Sequence, residues 1–218
     1  MEATSSSTKQ KPSAAKKPSG RTFTEAARRA QIVDAAIEVI ADAGYAKASF
    51  ARIARAAGLS STGMISYHFA GKDDLMREVV AEVSRVADAY VRPRMEEQSG
   101  ARARLRAFIE ASVGLADAYP RHVPAMVDVL AHLRDDDPSR CEALGTLESA
   151  TDIQVERMRE AQRSGEFREF DPRVMAIAIR AAIDATVTRA VREPDFDAAA
   201  AGRELADLFD HATRRTER

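Results

Sequence analysis

From about residue 23 onward, apolar residues recur with a helical period. Ile32, Val33, Ala36, Ile37 and Ile40 fall at i, i+1, i+4, i+5 and i+8, the spacing of one helix face. Gly44 predicts the end of that helix, because glycine takes positive φ without steric cost. Ser49 predicts an N-cap for a short helix over residues 50–57, and Gly58 ends it. Ser60 and Ser61 are predicted to cap a second short helix that runs to about Phe69. Gly71 punctuates again, and Asp73 and Asp74 suit the first turn of a long helix reaching about Arg92, just before Pro93. The pattern then resumes, with loops predicted at 98–100, 119–120, 135–138 and 164–172. In the last of these Asp171 is the cap and Pro172 takes the first helical position. Two final helices, 172–191 and 197–214, are separated by Glu193-Pro194-Asp195. No period-two stretch of strand length stands out. The chain reads as all-α, with about nine helices and no internal repeat.

Composition divides the chain further. Residues 1–22 are rich in Ser, Lys, Pro and Ala, have little to bury, and are expected to be a disordered basic tail. The expected plan is that tail, a small helical unit over 23–72, and a larger helical body over 73–214. The net charge of −1 conceals a segregation: residues 1–72 carry 11 Lys and Arg against 5 Asp and Glu, whereas residues 73–218 carry 22 against 29. All six lysines lie at or before Lys72. A basic front on an acidic body suggests that the front faces a polyanion. A single cysteine, Cys141, excludes an internal disulfide framework and a multi-cysteine zinc site, and fits a reducing, cytoplasmic setting. No stretch approaches the ~20 apolar residues of a membrane span. The basic N-terminus lacks the apolar run of a signal peptide.

The segment 50–69 carries a packing logic of its own. Two helices crossing steeply over a short turn need a small residue at their contact, which Ala54 supplies. The turn needs a residue that tolerates positive φ, and Gly58 fits, followed by Leu59 as an apolar anchor. Ile53, Ile65 and Phe69 would close a miniature core with Ile37 and Ile40. That arrangement leaves Ser61, Thr62, Met64, Ser66, Tyr67 and His68 available to a DNA duplex, with the second helix in the major groove. Lys47 and Arg52 are further candidate phosphate ligands.

In Ile32-Val33-Asp34-Ala35-Ala36, Gly44-Tyr45, Ser49, Ile53-Ala54, Ala57-Gly58-Leu59-Ser60, Tyr67-His68-Phe69 and Lys72-Asp73-Asp74-Leu75, the chain resembles the TetR family of bacterial regulators. The resemblance covers about residues 28–76. The spacing from Gly58 to Phe69 is one residue longer than in the family, with the extra residue near Ser61 or Thr62. The resemblance implies that the helix holding residues 64–69 reads bases, and that Thr62, Tyr67 and Lys72 hold phosphates. Residues 60–71 contain no Arg, Lys, Asn or Gln, so the bidentate readers of guanine and adenine are missing. Specificity is therefore expected from hydroxyls, His68, Met64 against thymine methyls, and DNA shape.

Residues 73–214 resemble the ligand-binding and dimerisation part of such regulators. The helix over 174–191 is apolar on nearly all sides and is expected to lie between its own core and a partner subunit. With the following helix it would form the four-helix interface of a homodimer. Candidate effector ligands are polar or soft residues in apolar helices: His122, Met126, His132 and Arg134, and the i, i+4 pair Arg180 and Asp184. The pair can equally satisfy itself. His122 and His132 lack a completing carboxylate or cysteine, so no metal site is expected, and no cofactor.

An inducible repressor on a pseudo-palindromic double-stranded operator accounts for all these features. A ligand-independent activator or architectural DNA-binding protein is the alternative. An enzyme is disfavoured, since no nucleophile elbow, P-loop, dinucleotide fingerprint or HExxH pair occurs, and Cys141 sits in what reads as a helix start.

Overall fold

The computed structural model of the chain describes residues 20–132 and 138–215. The described residues form nine α-helices: α1 (Gly20–Ala43), α2 (Phe50–Ala56), α3 (Gly63–His68), α4 (Lys72–Glu96), α5 (Ala101–Ala118), α6 (His122–His132), α7 (Pro138–Arg163), α8 (Pro172–Arg192) and α9 (Ala198–Thr213). A 3-10 turn, Tyr45–Lys47, joins α1 to α2. The all-α expectation holds, and most boundaries fall where glycine, proline and capping residues place them.

Three local expectations need correction. The tail was expected to extend to residue 22, but α1 already begins at Gly20; residues 1–19 lie outside the described residues. Helix α4 does not stop before Pro93 but runs through it to Glu96. Proline has no N–H to donate to the carbonyl of Ala89, yet it stands in the last turn, and the Glu97 amide still reaches the Pro93 carbonyl at 3.0 Å. Finally, Ser60 and Ser61 do not cap α3. Thr62 occupies the cap position in right-handed helical conformation and makes no side-chain cap bond.

Two hydrophobic cores organise the packing. The first gathers Ile32, Ile37 and Ile40 of α1, Ile53 of α2, and Ile65 and Phe69 around α3, all at most 2% exposed. It continues into Leu75, Met76, Val79 and Val83 of α4 and Ala125 and Val129 of α6. The helix boundary at Lys72 is thus not a boundary of packing. The second core joins α5, α7, α8 and α9 through Ile109, Val113, Val155, Met158, Ile179 and Ile183. There α9 lies close on α5: a Cβ at Gly202 would sit 3.4 Å from the Val113 Cβ. Arg102 pairs with Asp210 at 2.7 Å and Arg106 with Asp207 across the same seam.

Candidate nucleic-acid interface

The α2–α3 unit is held from inside. The Ser49 hydroxyl accepts the Arg52 amide at the start of α2, 3.4 Å away. Gly58, at φ +65°, takes the left-handed conformation that reverses the chain, and the Leu59 amide returns to the Ala54 carbonyl at 2.8 Å. Ala54 is buried at the crossing, as its size requires. Ser60, Ser61 and Thr62 all precede α3, and Ile65 and Phe69 both face the core.

With Ile65 and Phe69 inside, the outer face of α3 and its approach is free. Ser61, Thr62, Met64, Ser66 and Tyr67 are exposed, Tyr67 at 71%, and His68 is half-buried with its ring edge-on to Tyr67. Lys47 in the 3-10 turn and Arg52 on α2 are exposed as well. Such a surface offers hydroxyls, one thioether and two cations to a duplex, a set suited to phosphate contacts and apolar contact with thymine methyls.

Lys72, which the resemblance implies as a phosphate contact, is engaged within the chain. Its ammonium donates to the Tyr45 carbonyl at 2.7 Å and lies 3.8 Å from the centroid of the Tyr45 ring. Partial burial lowers its pKa from the ordinary lysine value, with Asp73 and Asp128 pulling the other way. Lys72 therefore also fixes the start of α4 against the reading unit.

Two of the residues that position α3, Arg29 and Gln31, carry no signal in the sequence. Arg29 of α1 donates to the His68 carbonyl at 2.7 Å, pairs with Glu78 of α4 at 2.6 Å, and stacks over the Phe69 ring at 4.3 Å. It clamps the C-terminal end of α3 between α1 and α4. Gln31 donates to the Ala57 carbonyl at 2.6 Å and steadies the turn. Asp74 accepts the Ala70 amide at 2.9 Å, a bond that, with Arg77, holds its pKa below the ordinary aspartate value. Arg29 looks like any charge on a helix face until His68 and Glu78 arrive beside it.

The residues expected to line an effector pocket are not brought together. Met126 packs against the first core, and the His122 ring meets Tyr119 edge-on. His132 stacks on Tyr45 with centroids 5.0 Å apart. All three belong to α6 at its seam with the reading unit. Arg180 and Asp184 pair with each other at 3.0 Å, although Arg180 also touches a small cavity of about 60 Å³. Arg134 lies outside the described residues. A larger cleft, about 550 Å³, opens between the end of α4, the start of α5 and the end of α7. Met95, Leu105, Met158 and Phe167 form its apolar wall, with Arg104 and Arg157 at the edge. Among the described residues no three His, Cys, Asp or Glu side chains cluster as a metal site, and no helix is long and apolar enough to cross a membrane.

A short helix with a largely polar outer face, backed by a three-helix core and attached to a helical body, has the architecture of a helix-turn-helix unit. Residues 32–79 match the family described as bacterial regulatory proteins, tetR family. The HTH-type transcriptional regulator BetI 1 of Chromohalobacter salexigens is 39% identical over 84 residues, covering 38% of this chain and 41% of that relative. The chain thus matches less than half the length of that relative. The fold is similar over a greater extent to a regulator from Saccharomonospora viridis solved with choline (TM-score 0.76, 20% identity, 88% of this chain and 100% of that one). It is also similar to FadR from Bacillus subtilis solved with stearoyl-CoA (TM-score 0.72, 25% identity, 82% and 96%).

Proposed function

We propose that the chain acts as a homodimeric repressor that binds a pseudo-palindromic operator through α3 and is released when a small molecule occupies its body. The observation that carries the reading is the division of α3 into a face locked by Ile65 and Phe69 and an outer face of Met64, Ser66 and Tyr67 that stays exposed among the described residues. One such unit contacts too few bases for useful specificity, which favours two copies on successive major grooves, about 34–36 Å apart.

Helices α8 and α9 support the dimer. Val174 and Ile177 are 63% and 54% exposed, and Ala178, Ala181 and Ala185 extend the same stripe at helical spacing, with Leu208 of α9 also exposed. The release step is supported by α4, whose 25 residues make a rod about 37 Å long. Lys72 begins it at the reading unit, and Met95 ends it in the wall of the 550 Å³ cleft. A ligand that prefers a splayed arrangement would pivot that rod and carry the head with it.

Selection of bound sequences from random DNA should yield a two-fold symmetric site, bound as a dimer with a dissociation constant on the order of 10⁻⁸ to 10⁻¹⁰ M. Its salt dependence should correspond to ~4–8 neutralised phosphates per dimer. Because similar folds hold stearoyl-CoA or choline, these two are the first probes for operator release. Recovery of no symmetric site would refute the reading.

A further inference from the structure

We infer that α6 fixes the angle of the reading unit through a latch at Tyr45, with Asp128 and His132 as positioning residues for DNA binding. This rests on the DNA-binding reading above and adds a second route into the head beside α4.

Tyr45 is engaged from every side that a residue offers. Gly44, at φ +84°, ends α1 and turns the chain so that the Tyr45 amide points at α6. That amide donates to a carboxylate oxygen of Asp128, and the Tyr45 carbonyl accepts from the Lys72 ammonium at 2.7 Å. The ring meets the same ammonium on one contact and the His132 imidazole on another, the latter stacked with an interplanar angle of 20°. Asp128 closes the set by facing the His132 Nδ1 at 3.1 Å. The α1–α2 connection, the first residue of α4 and the last turn of α6 thus converge on one residue. At the other end of α6, Arg121 pairs with Glu38 at 2.8 Å and Asp42 at 2.6 Å on α1.

The covalent joint between head and body is the short stretch from Phe69 to Lys72, about which a head could rock. Apolar contacts from Ala125 and Val129 hold it in place but are non-directional. The bonds at Tyr45 are directional and weaken steeply with misalignment, so they set the angle. Since α6 also packs on α5 and α8, movement in the body reaches the head through Asp128 as well as through α4. The angle of the two heads decides which half-site spacing a dimer accepts, so the latch governs spacing tolerance more than contact with any base.

The test is a library in which two operator half-sites are separated by the natural spacer plus or minus one and two base pairs, bound by the full chain. The wild type should prefer one spacing by about tenfold or more, a coupling of ordinary size. Asp128→Ala combined with His132→Ala should reduce that preference below threefold while leaving the preferred bases unchanged. Asp128→Asn, which keeps an acceptor oxygen, should retain most of it. Hydrogen exchange gives a readout without DNA: the Tyr45 amide should exchange about tenfold faster in the double variant, while core amides of α1 and α4 stay protected. A double variant as selective as the wild type, or an unchanged Tyr45 amide, would overturn the latch and leave the DNA-binding reading intact. A wild type with no spacing preference would overturn the dimeric reading and the latch together.

Discussion

The two cores of this molecule are built alike but end differently at the surface. Both mix buried alanines with larger side chains: Ala36, Ala54 and Ala57 with the isoleucines and Phe69 around α3, and Ala161, Ala176, Ala198 and Ala206 with Ile109, Ile179, Ile183 and Phe209 among α5, α7, α8 and α9. In both, alanine lets helices approach closely and the bulky, stiff side chains interlock to fix one arrangement. The first core encloses Ile53, Ile65 and Phe69 and leaves a largely polar face, with Met64 and Tyr67 on it, that the proposed function assigns to DNA. The second leaves Val174, Ile177 and Leu208 outside. One region is finished within the chain, and the other is completed by a second copy under the proposed function.

The largest test of that contrast lies in the first core. Phe69→Ala should cost about 3–5 kcal/mol and abolish operator binding, because it removes both the ring under Arg29 and the anchor of α3. Ile179→Ala in the second core should cost a comparable ~2–5 kcal/mol but leave operator sequence preference intact below the melting point. Denaturant unfolding with DNA anisotropy separates the two. Equal loss of base preference in both would mean that the cores are one functional unit.

Next in size is the exposed stripe. Val174→Asp with Ile177→Asp should weaken self-association at least a hundredfold in sedimentation velocity. A solvent-facing substitution ordinarily changes monomer stability by only about 0.5 kcal/mol. A dimer that survives both charges would place the interface elsewhere.

Smaller effects are expected at the head. Lys72→Ala should weaken binding to all sequences alike and flatten the salt dependence, whereas Ser66→Ala or His68→Ala should change the preferred bases. Because Lys72 also holds Tyr45, its variant should melt slightly lower. Altered base preference with an unchanged salt slope in Lys72→Ala would reverse the assigned roles.

The smallest effects come from two aspartates with opposite signs. Burial, and then Glu82, raises the Asp34 pKa, so its charged form disfavours folding above that value. Asp34 is nonetheless exposed, so solvent screens the effect: Asp34→Asn should raise the melting temperature only slightly at pH 7 and leave it unchanged below the unfolded carboxylate pKa of about 4. Asp74 is depressed by the Ala70 amide, so it stabilises above about pH 4 and the benefit is lost as pH falls through its folded value. Asp74→Asn should therefore melt lower at pH 7, with the deficit shrinking in acid. Calorimetry from pH 3 to 7 checks both signs.

Residue pattern alone determined what depends on neighbours in the chain. Helical period, glycine at the turns, Asp171 ahead of Pro172 and the inward set Ile53, Ile65 and Phe69 follow from local geometry, and the structure holds all of them. Polarity in an apolar helix did not reveal the neighbours of each group: His122 meets Tyr119, His132 stacks on Tyr45, and Arg180 and Asp184 pair with each other. Only the tertiary structure decided which distant groups meet. Arg29 finds His68 39 residues away, and Tyr45 finds Asp128 83 residues away. Neither partner alters the local periodicity, because a charge on a helix surface looks the same whether it faces water or another helix. The cleft beside Met95 is likewise a gap between three helices, defined by their crossing and by no motif within any one of them.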